Sequence, residues 1–460
     1  TMNITLSGAV CILLFAALVF RCKFRLYALV TMPLCMILLR HFQFFSFYER
    51  LDLMLDVDIL LLISLCVFLM GYAFGKRLRA GRIERFYSGL SRCVLTDDRI
   101  FVSPRAVATY FWVTVFYCAF DLWLNTLLYG SLESALIRFY AKPTADDFPT
   151  ILHTIQGFLF KALVVFVFVF RFYLNKLHHR SALFGLTVLL LVLIAVPKGS
   201  RGAAVAPFMM LVMADFFSFT FQKGMSIRGK VREYVAIGCI SVFLILTLTV
   251  IRNIDFDEIE DVYSAVSELN MGDASDSYSQ GEGEMLLEDV QRCYTEFGNR
   301  VDFLSPFYTL ETLVLAPIPR VLMPQKKVSF GYVFNEVKMG GTNLNHPENL
   351  VYHGAVGWAA GLAGEGWANG GLFGVVFYAL LFGIYSGFCA KMYYHLLTCA
   401  TPLALLFSLL FFQMSFSFIR GDLLAGYVQG LYPLLILTFL FWTIKHFKKY
   451  RIRFKLSPTT

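Results

Sequence analysis

Charge is what this chain has least of. Only 16% of its 460 residues are Asp, Glu, Lys or Arg, against roughly 25% in soluble domains. No stretch is polar for long enough to read as a soluble globular domain. The familiar signatures of soluble catalysis are missing too: no phosphate-cradling Walker loop, no Rossmann glycine turn and no HExxH helix. An ATP-based energy source is therefore not visible. CxxC pairs are absent, and nearly all of the ten cysteines lie in or beside apolar runs. Cys293, in a long polar loop, stands alone, which argues against a disulfide framework. No carboxylate pair has obvious metal-ligand spacing, so neither metal nor cofactor is expected, and no nucleic-acid partner. No internal repeat is evident, which weighs against a transporter built from two related halves.

What is present is hydrophobic length. Hydrophobic residues make up 58% of the chain, and apolar runs of about 16–20 residues recur along it, as spanning helices require. The expected fold is all-α: a polytopic membrane helical bundle of about 11 spans with one large external loop containing short helices. The spans are expected near 4–20, 26–39, 59–75, 107–128, 151–170, 182–197, 203–220, 234–251, 372–390, 402–418 and 424–444. The run Thr5 to Phe20 lacks a basic leader and a small-x-small cleavage site, so it is expected to be a retained helix. The chain then divides into three regions: helices 1–8 over 1–251, the large external loop over 252–357, and the last helices with a basic tail over 358–460.

Lys and Arg set the orientation. Alternate loops, among them RCKFR, KRLRAGRIERF, RFYLNKLHHR, RGKVR and the tail KHFKKYRIRFK, hold more than half of the 40 Lys and Arg and belong in the cytoplasm. The opposite face is acidic and carries the long segment Arg252 to Val356. Within it, GDASDSYSQGEGE reads as a mobile loop. Met285 to Leu304 has apolar residues at helical spacing, which suits a helix lying on the membrane or on the bundle, or an ordinary capping helix. Pro317, Pro319 and Pro324 then stiffen the chain between Leu315 and Gln325.

Four arginines sit where outer loops meet helices: Arg201 in PKGSRG, Arg252, Arg320 in PIPRVLMP and Arg420 in FIRGD, with Lys198 three residues before Arg201. Singly, each is explained as a side chain reaching lipid headgroups. Together, on the face that topology depletes of positive charge, they form a set suited to phosphate oxygens, which Arg grips with a planar fork. Histidine can act as a base near neutral pH, so His346 is a candidate general base, or a loop histidine bonded to backbone. His353 is a weaker candidate of the same kind. Glu348 either orients His346 or is solvated, and Asp422 is the natural salt-bridge partner of Arg420. Glu365 lies in a glycine run, GEGWANGGLFG, whose four-residue spacing permits close helix approach. A carboxylate there needs a partner, water or a task; base and Arg partner are both open.

PKGSRG (197–202), APIPRVLMPQKK (316–327), NHPENL (345–350) and GEGWANGGLFG (364–374), set among many spans with one large external loop, resemble the Wzy-type O-antigen and polysaccharide repeat-unit polymerases of bacterial inner membranes. The resemblance covers most of the chain through short motifs. It implies a multi-pass inner-membrane glycosyltransferase of the GT-C kind, related in plan to O-antigen ligases. Its substrates would be undecaprenyl-pyrophosphate-linked glycans on the periplasmic face, with no nucleotide sugar, no cofactor and a separate chain-length regulator as partner. On this reading His346 or Glu365 activates the acceptor hydroxyl. Lys198, Arg201, Arg252, Arg320 and Arg420 hold the donor pyrophosphate, and Asn345 lies with the substrate-binding residues. The ligases place a His before a Gly-rich helix near their large loop, and His346 matches that position loosely. An O-antigen-type ligase shares every motif, and a lipid-linked oligosaccharide flippase is the alternative from another class.

Overall fold

The computed structural model describes residues 55–94, 103–132, 135, 150–176, 181–198, 201–221, 231–253, 289–316, 318, 322–323, 325–341, 360–399, 401–415 and 423–455. Among them the fold is helical: α1 Leu55–Arg77, α2 Gly81–Val94, α3 Pro104–Tyr129, α4 Thr150–Lys176, α5 Ala182–Ala195, α6 Arg201–Phe221, α7 Val231–Asn253, α8 Tyr308–Leu315, α9 Phe330–Lys338, α10 Gly361–Cys399, α11 Pro402–Met414 and α12 Leu423–Lys455. The described residues contain no strand, only an isolated bridge between Phe297 and Val301. Ile59–Arg77, Pro104–Tyr129 and Gly361–Cys399 are long and apolar enough to cross a membrane, and Ala182–Ala195, Ala203–Asp215, Leu403–Met414 and Pro433–Thr443 are shorter apolar helical stretches.

The expected spans 4–20 and 26–39 lie outside the described residues, whereas each later span coincides with a helix. The boundaries differ where polar residues continue a helix. Arg171 to Lys176, expected in a loop, complete α4. KHFKKYRIRFK extends α12 to Lys455. Within the basic loop after α1, the amphipathic GRIERFYSGLSRCV forms α2. Helix starts follow capping chemistry. Ser103 accepts from the Ala106 N–H with Pro104 in the first turn, Ser181 accepts from the Phe184 N–H, and Thr401 accepts from the Ala404 N–H with Pro402 behind it.

The chain divides into two compact units, Thr1–Val94 with Gln280–Thr460 and Leu95–Ser279, here called terminal and central. In the terminal unit α1 lies along α10. An added Cβ on Gly75 would sit 2.1 Å from Ile384 O, and one on Gly387 would sit 2.2 Å from Tyr72 O. Gly71 and Gly383 meet backbone oxygens in the same way, at 2.5 and 2.4 Å. Glycines four apart on both helices thus let the two backbones touch. Leu65, Phe68, Tyr72, Tyr378 and Phe382 fill the space around the crossing.

Helix α10 is two helices. Gly371 has φ 60° and ψ −142°, a conformation open to glycine alone, and the helix breaks there. Residues eight apart in a straight helix lie about 12 Å apart. Yet a Cβ on Gly374 would fall 2.0 Å from Gly366 O, so the 361–369 half folds back onto the start of the 372–399 half.

Part of the long segment between α7 and α10 packs on that first half. Cys293, Phe297, Val301, Tyr308, Phe330, Val333, Phe334 and Val337 form an apolar core with Ala360 and Ala368. Residues 289–296 are helical, and the turn at 298–300 ends the helix expected to reach Leu304. Basic side chains close the helix ends. Arg300 donates to Val337 O (2.8 Å) and Gly340 O (3.0 Å) behind α9; Lys326 donates to Ala316 O (2.8 Å) and Ile318 O (3.0 Å) behind α8. Burial pushes the Cys293 thiol well above its ordinary value, with the Asp289 and Glu365 charges acting the same way. It is a packing residue, not a nucleophile.

Candidate functional site

At the break in α10 the terminal unit buries a set of polar groups. Glu365 is 1% exposed. Thr309, in the first turn of α8, donates its hydroxyl to Glu365 Oε1 at 2.6 Å. The backbone N–H of Leu423, the first residue of α12, donates to Oε2 at 2.9 Å. A carboxylate at a helix N-terminus is held by the exposed N–H groups and by the helix dipole. Asn369 donates its amide to Thr309 Oγ1 and to Glu365 O, both at 2.8 Å. These bonds use both amide hydrogens, and among the described residues the buried Asn369 Oδ1 has no hydrogen-bond partner. That oxygen can accept from an N–H or a hydroxyl. Tyr378, just after the break, donates to Pro306 O at 2.8 Å and ties the chain before α8 to the second half of α10.

Glu365 therefore joins three elements: helix α8, the broken helix α10 and the start of α12. Arg420 and Asp422 immediately precede α12 in sequence and lie outside the described residues. Asn345, His346, Glu348 and His353 lie outside them as well, as does Arg320. The sequence reading did not single out Thr309, Asn369 or the Leu423 N–H. Asn369 had a signal, since it lies within GEGWANGG, four residues from Glu365 on a helical spacing. Thr309 had none, being 56 residues from the carboxylate it bonds.

The central unit holds the positions of Lys198, Arg201 and Arg252, whose backbones are described. Lys198 ends a short 3-10 turn after α5, Arg201 opens α6, and Arg252 is the penultimate residue of α7. The orientation of these helices follows from an ion-pair cluster. Arg171, late in α4, holds Asp215, late in α6, through both oxygens at 2.7 and 2.9 Å. It also reaches Glu233, early in α7, at 2.5 Å. Asn175 donates to the same Asp215 at 2.5 Å and Tyr234 donates to it at 3.3 Å. The late turns of α4 and α6 and the first turn of α7 therefore share one end. Arg201 is 14 residues from Asp215 and Arg252 is 19 from Glu233, about 21 and 28 Å along the helices. Lys198, Arg201 and Arg252 thus have their backbones at the opposite end of this unit from the Asp215 cluster.

The central unit buries a second carboxylate, which the sequence reading did not single out. Asp121 of α3 accepts from Gln156 Nε2 at 2.6 Å and from the Tyr117 hydroxyl at 3.1 Å. An isolated Asp in an apolar run carries no local mark of its partner, because Gln156 lies 35 residues on.

Among the described residues no group of three His, Cys, Asp or Glu is placed to hold a metal ion. The family model described as O-antigen polysaccharide polymerase Wzy matches the chain over residues 3–451. No curated protein and no solved structure matches it.

Proposed function

The chain belongs to the O-antigen polysaccharide polymerase Wzy family, and from that membership we propose its reaction. The protein is an inner-membrane glycosyltransferase of about eleven spans, working on the periplasmic face. It joins oligosaccharide repeat units carried on undecaprenyl pyrophosphate. The hydroxyl at the non-reducing end of an incoming lipid-linked unit attacks the anomeric carbon of the growing chain. The new glycosidic C–O bond forms as the bond to the lipid pyrophosphate breaks, in one inverting displacement, and the hydroxyl proton passes to a base.

His346 is the base in this reading. Both Glu365 oxygens already accept hydrogen bonds, from Thr309 and Leu423, so the carboxylate is better suited to positioning than to proton transfer. Its bonds hold α8 and the break in α10 against the start of α12, while Asn369 Oδ1 offers a free acceptor beside them. Arg201, Arg252, Arg320 and Arg420, with Lys198, hold the pyrophosphate and stabilise the charge that builds on it as it leaves. Asn345 joins them in binding substrate. Lipid carriers enter sideways from the bilayer, the external segment covers the reaction, and a chain-length regulator is the protein partner.

The family match over nearly the whole chain carries this reading. It is tested in a strain lacking the protein and complemented with Arg201→Ala, Arg320→Ala or His346→Ala. Each variant should express normally and lose the ladder of polymerised glycan. Removing the base should cost about 10²–10⁴-fold in rate. Unchanged banding in all three sinks the assignment. With purified protein, lipid-linked repeat units alone should yield a ladder; no product without another acceptor would instead mark a ligase.

A further inference from the structure

Helix α2 has three distinct sides. The first faces the bundle: the Tyr87 hydroxyl lies 3.2 Å from Thr438 Oγ1 and its ring packs edge-on against Phe407 and Phe411. Ser88 Oγ is 2.9 Å from His395 Nε2, and Glu84 pairs with Lys391 at 3.0 Å. Next around the helix, at 100° per residue, come Ile83 and Phe86, each 43% exposed beside the buried Leu90. Beyond them come Arg82 and Arg85, both exposed; Arg77, the last residue of α1, and Arg79, in the turn leading into α2, are exposed as well.

The place of α2 is fixed by its contacts. It comes directly after the spanning helix α1, and it touches α10 at Lys391 and His395. Lys391 is 20 residues beyond Gly371, about 30 Å along the helix. That is one hydrocarbon thickness from the break and from the external core. A helix at that depth, with one side on protein, then an apolar stripe, then arginines, has the order of surfaces met at a bilayer boundary: bundle, acyl chains, headgroups. The clustered positive charge selects the headgroup sign.

We propose that α2 is an in-plane interfacial helix that binds anionic phospholipid on the side of the membrane opposite the external segment. Ile83 and Phe86 insert among acyl chains, and Arg77, Arg79, Arg82 and Arg85 hold headgroup phosphates. The inference does not depend on the glycan chemistry.

The test uses the full-length protein in detergent, titrated with phosphatidylglycerol or phosphatidylcholine, with bound lipid counted by native mass spectrometry. Wild type should prefer phosphatidylglycerol by more than tenfold. The R79S/R82S/R85S variant should lose that preference, at about fivefold per arginine, with phosphatidylcholine binding unchanged. The R79K/R82K/R85K variant should keep most of it. Equal affinity of wild type for the two lipids overturns the proposal, as does full selectivity in the serine variant. A lysine variant that fails like the serine one also overturns it, because the loss would then not follow charge.

Discussion

The long helices of the two units meet in different ways. In the terminal unit, Gly71, Gly75, Gly383 and Gly387 stand at the crossing of α1 and α10, where any added carbon meets backbone. In the central unit, a Cβ on Gly157, Gly185 or Gly238 would meet nothing within 4 Å. There the helices are joined by polar side chains: Asp121 with Gln156 and Tyr117 between α3 and α4, and Asp215 with Arg171, Asn175 and Tyr234 among α4, α6 and α7. In lipid, hydrophobic burial does little to choose between helix partners. Association rests on close packing or on interhelical hydrogen bonds. Backbone contact is rigid and intolerant of added volume. A hydrogen-bond network is forgiving when one member is lost and others remain.

The sharpest way to break the comparison is alanine at glycine. Gly75→Ala and Gly387→Ala should each cost about 3 kcal/mol, the upper end for overpacking, or prevent folding, because the atoms an added carbon would meet are backbone oxygens that cannot rotate away. Gly185→Ala and Gly238→Ala should be neutral or stabilise by up to about 1 kcal/mol, since glycine weakens a helix relative to alanine. Melting midpoints of detergent-solubilised protein decide it. Equal effects in the two units would erase the distinction.

Whether such features can be read in advance depends on their range along the chain. Periodicity and apolar length are local, so the helices beginning at Pro104, Thr150, Ala182 and Pro402 fall within a few residues of the expected spans. The GxxxG pair Gly71/Gly75 is local too, but its match with Gly383/Gly387 is more than 300 residues away, so neither half declares its partner. Helix α2 was hidden because its charges resemble an ordinary basic loop, while its apolar residues are divided between a protein face and an exposed stripe. At the candidate site, Glu365 was legible as a carboxylate in the wrong surroundings. Its bond to Thr309 and to the N-terminus of α12 depends on the break at Gly371, where a glycine run also consistent with unbroken helix folds back on itself.

A smaller effect is expected in the central unit from Asp215→Ala. It leaves Arg171 with the partly exposed Glu233 alone and deprives Asn175 and Tyr234 of an acceptor. The cost should be about 2–3 kcal/mol, at the low end for a broken buried pair, since the Arg171 side chain is 18% exposed. Replacing both charges, with Arg171→Met and Asp215→Leu, should recover most of it. A double variant as unstable as Asp215→Ala would mean that the pair does more than satisfy its own charges.

The least effect should come from Gln156→Leu. Asp121 then loses the donor at 2.6 Å but keeps the Tyr117 hydroxyl on the same oxygen. Leucine fills similar volume and is at home in lipid-facing or buried helix positions alike. Interhelical hydrogen bonds in membranes average about 0.6 kcal/mol and reach about 1.7, so the melting midpoint should fall only slightly, well short of the shift from Gly75→Ala. Asp121→Leu in the same background should then add little, because the remaining carboxylate is the group that needs partners. If Gln156→Leu proved as damaging as alanine at Gly75, the polar network would be as unforgiving as backbone contact. The two units would then differ in chemistry but not in tolerance.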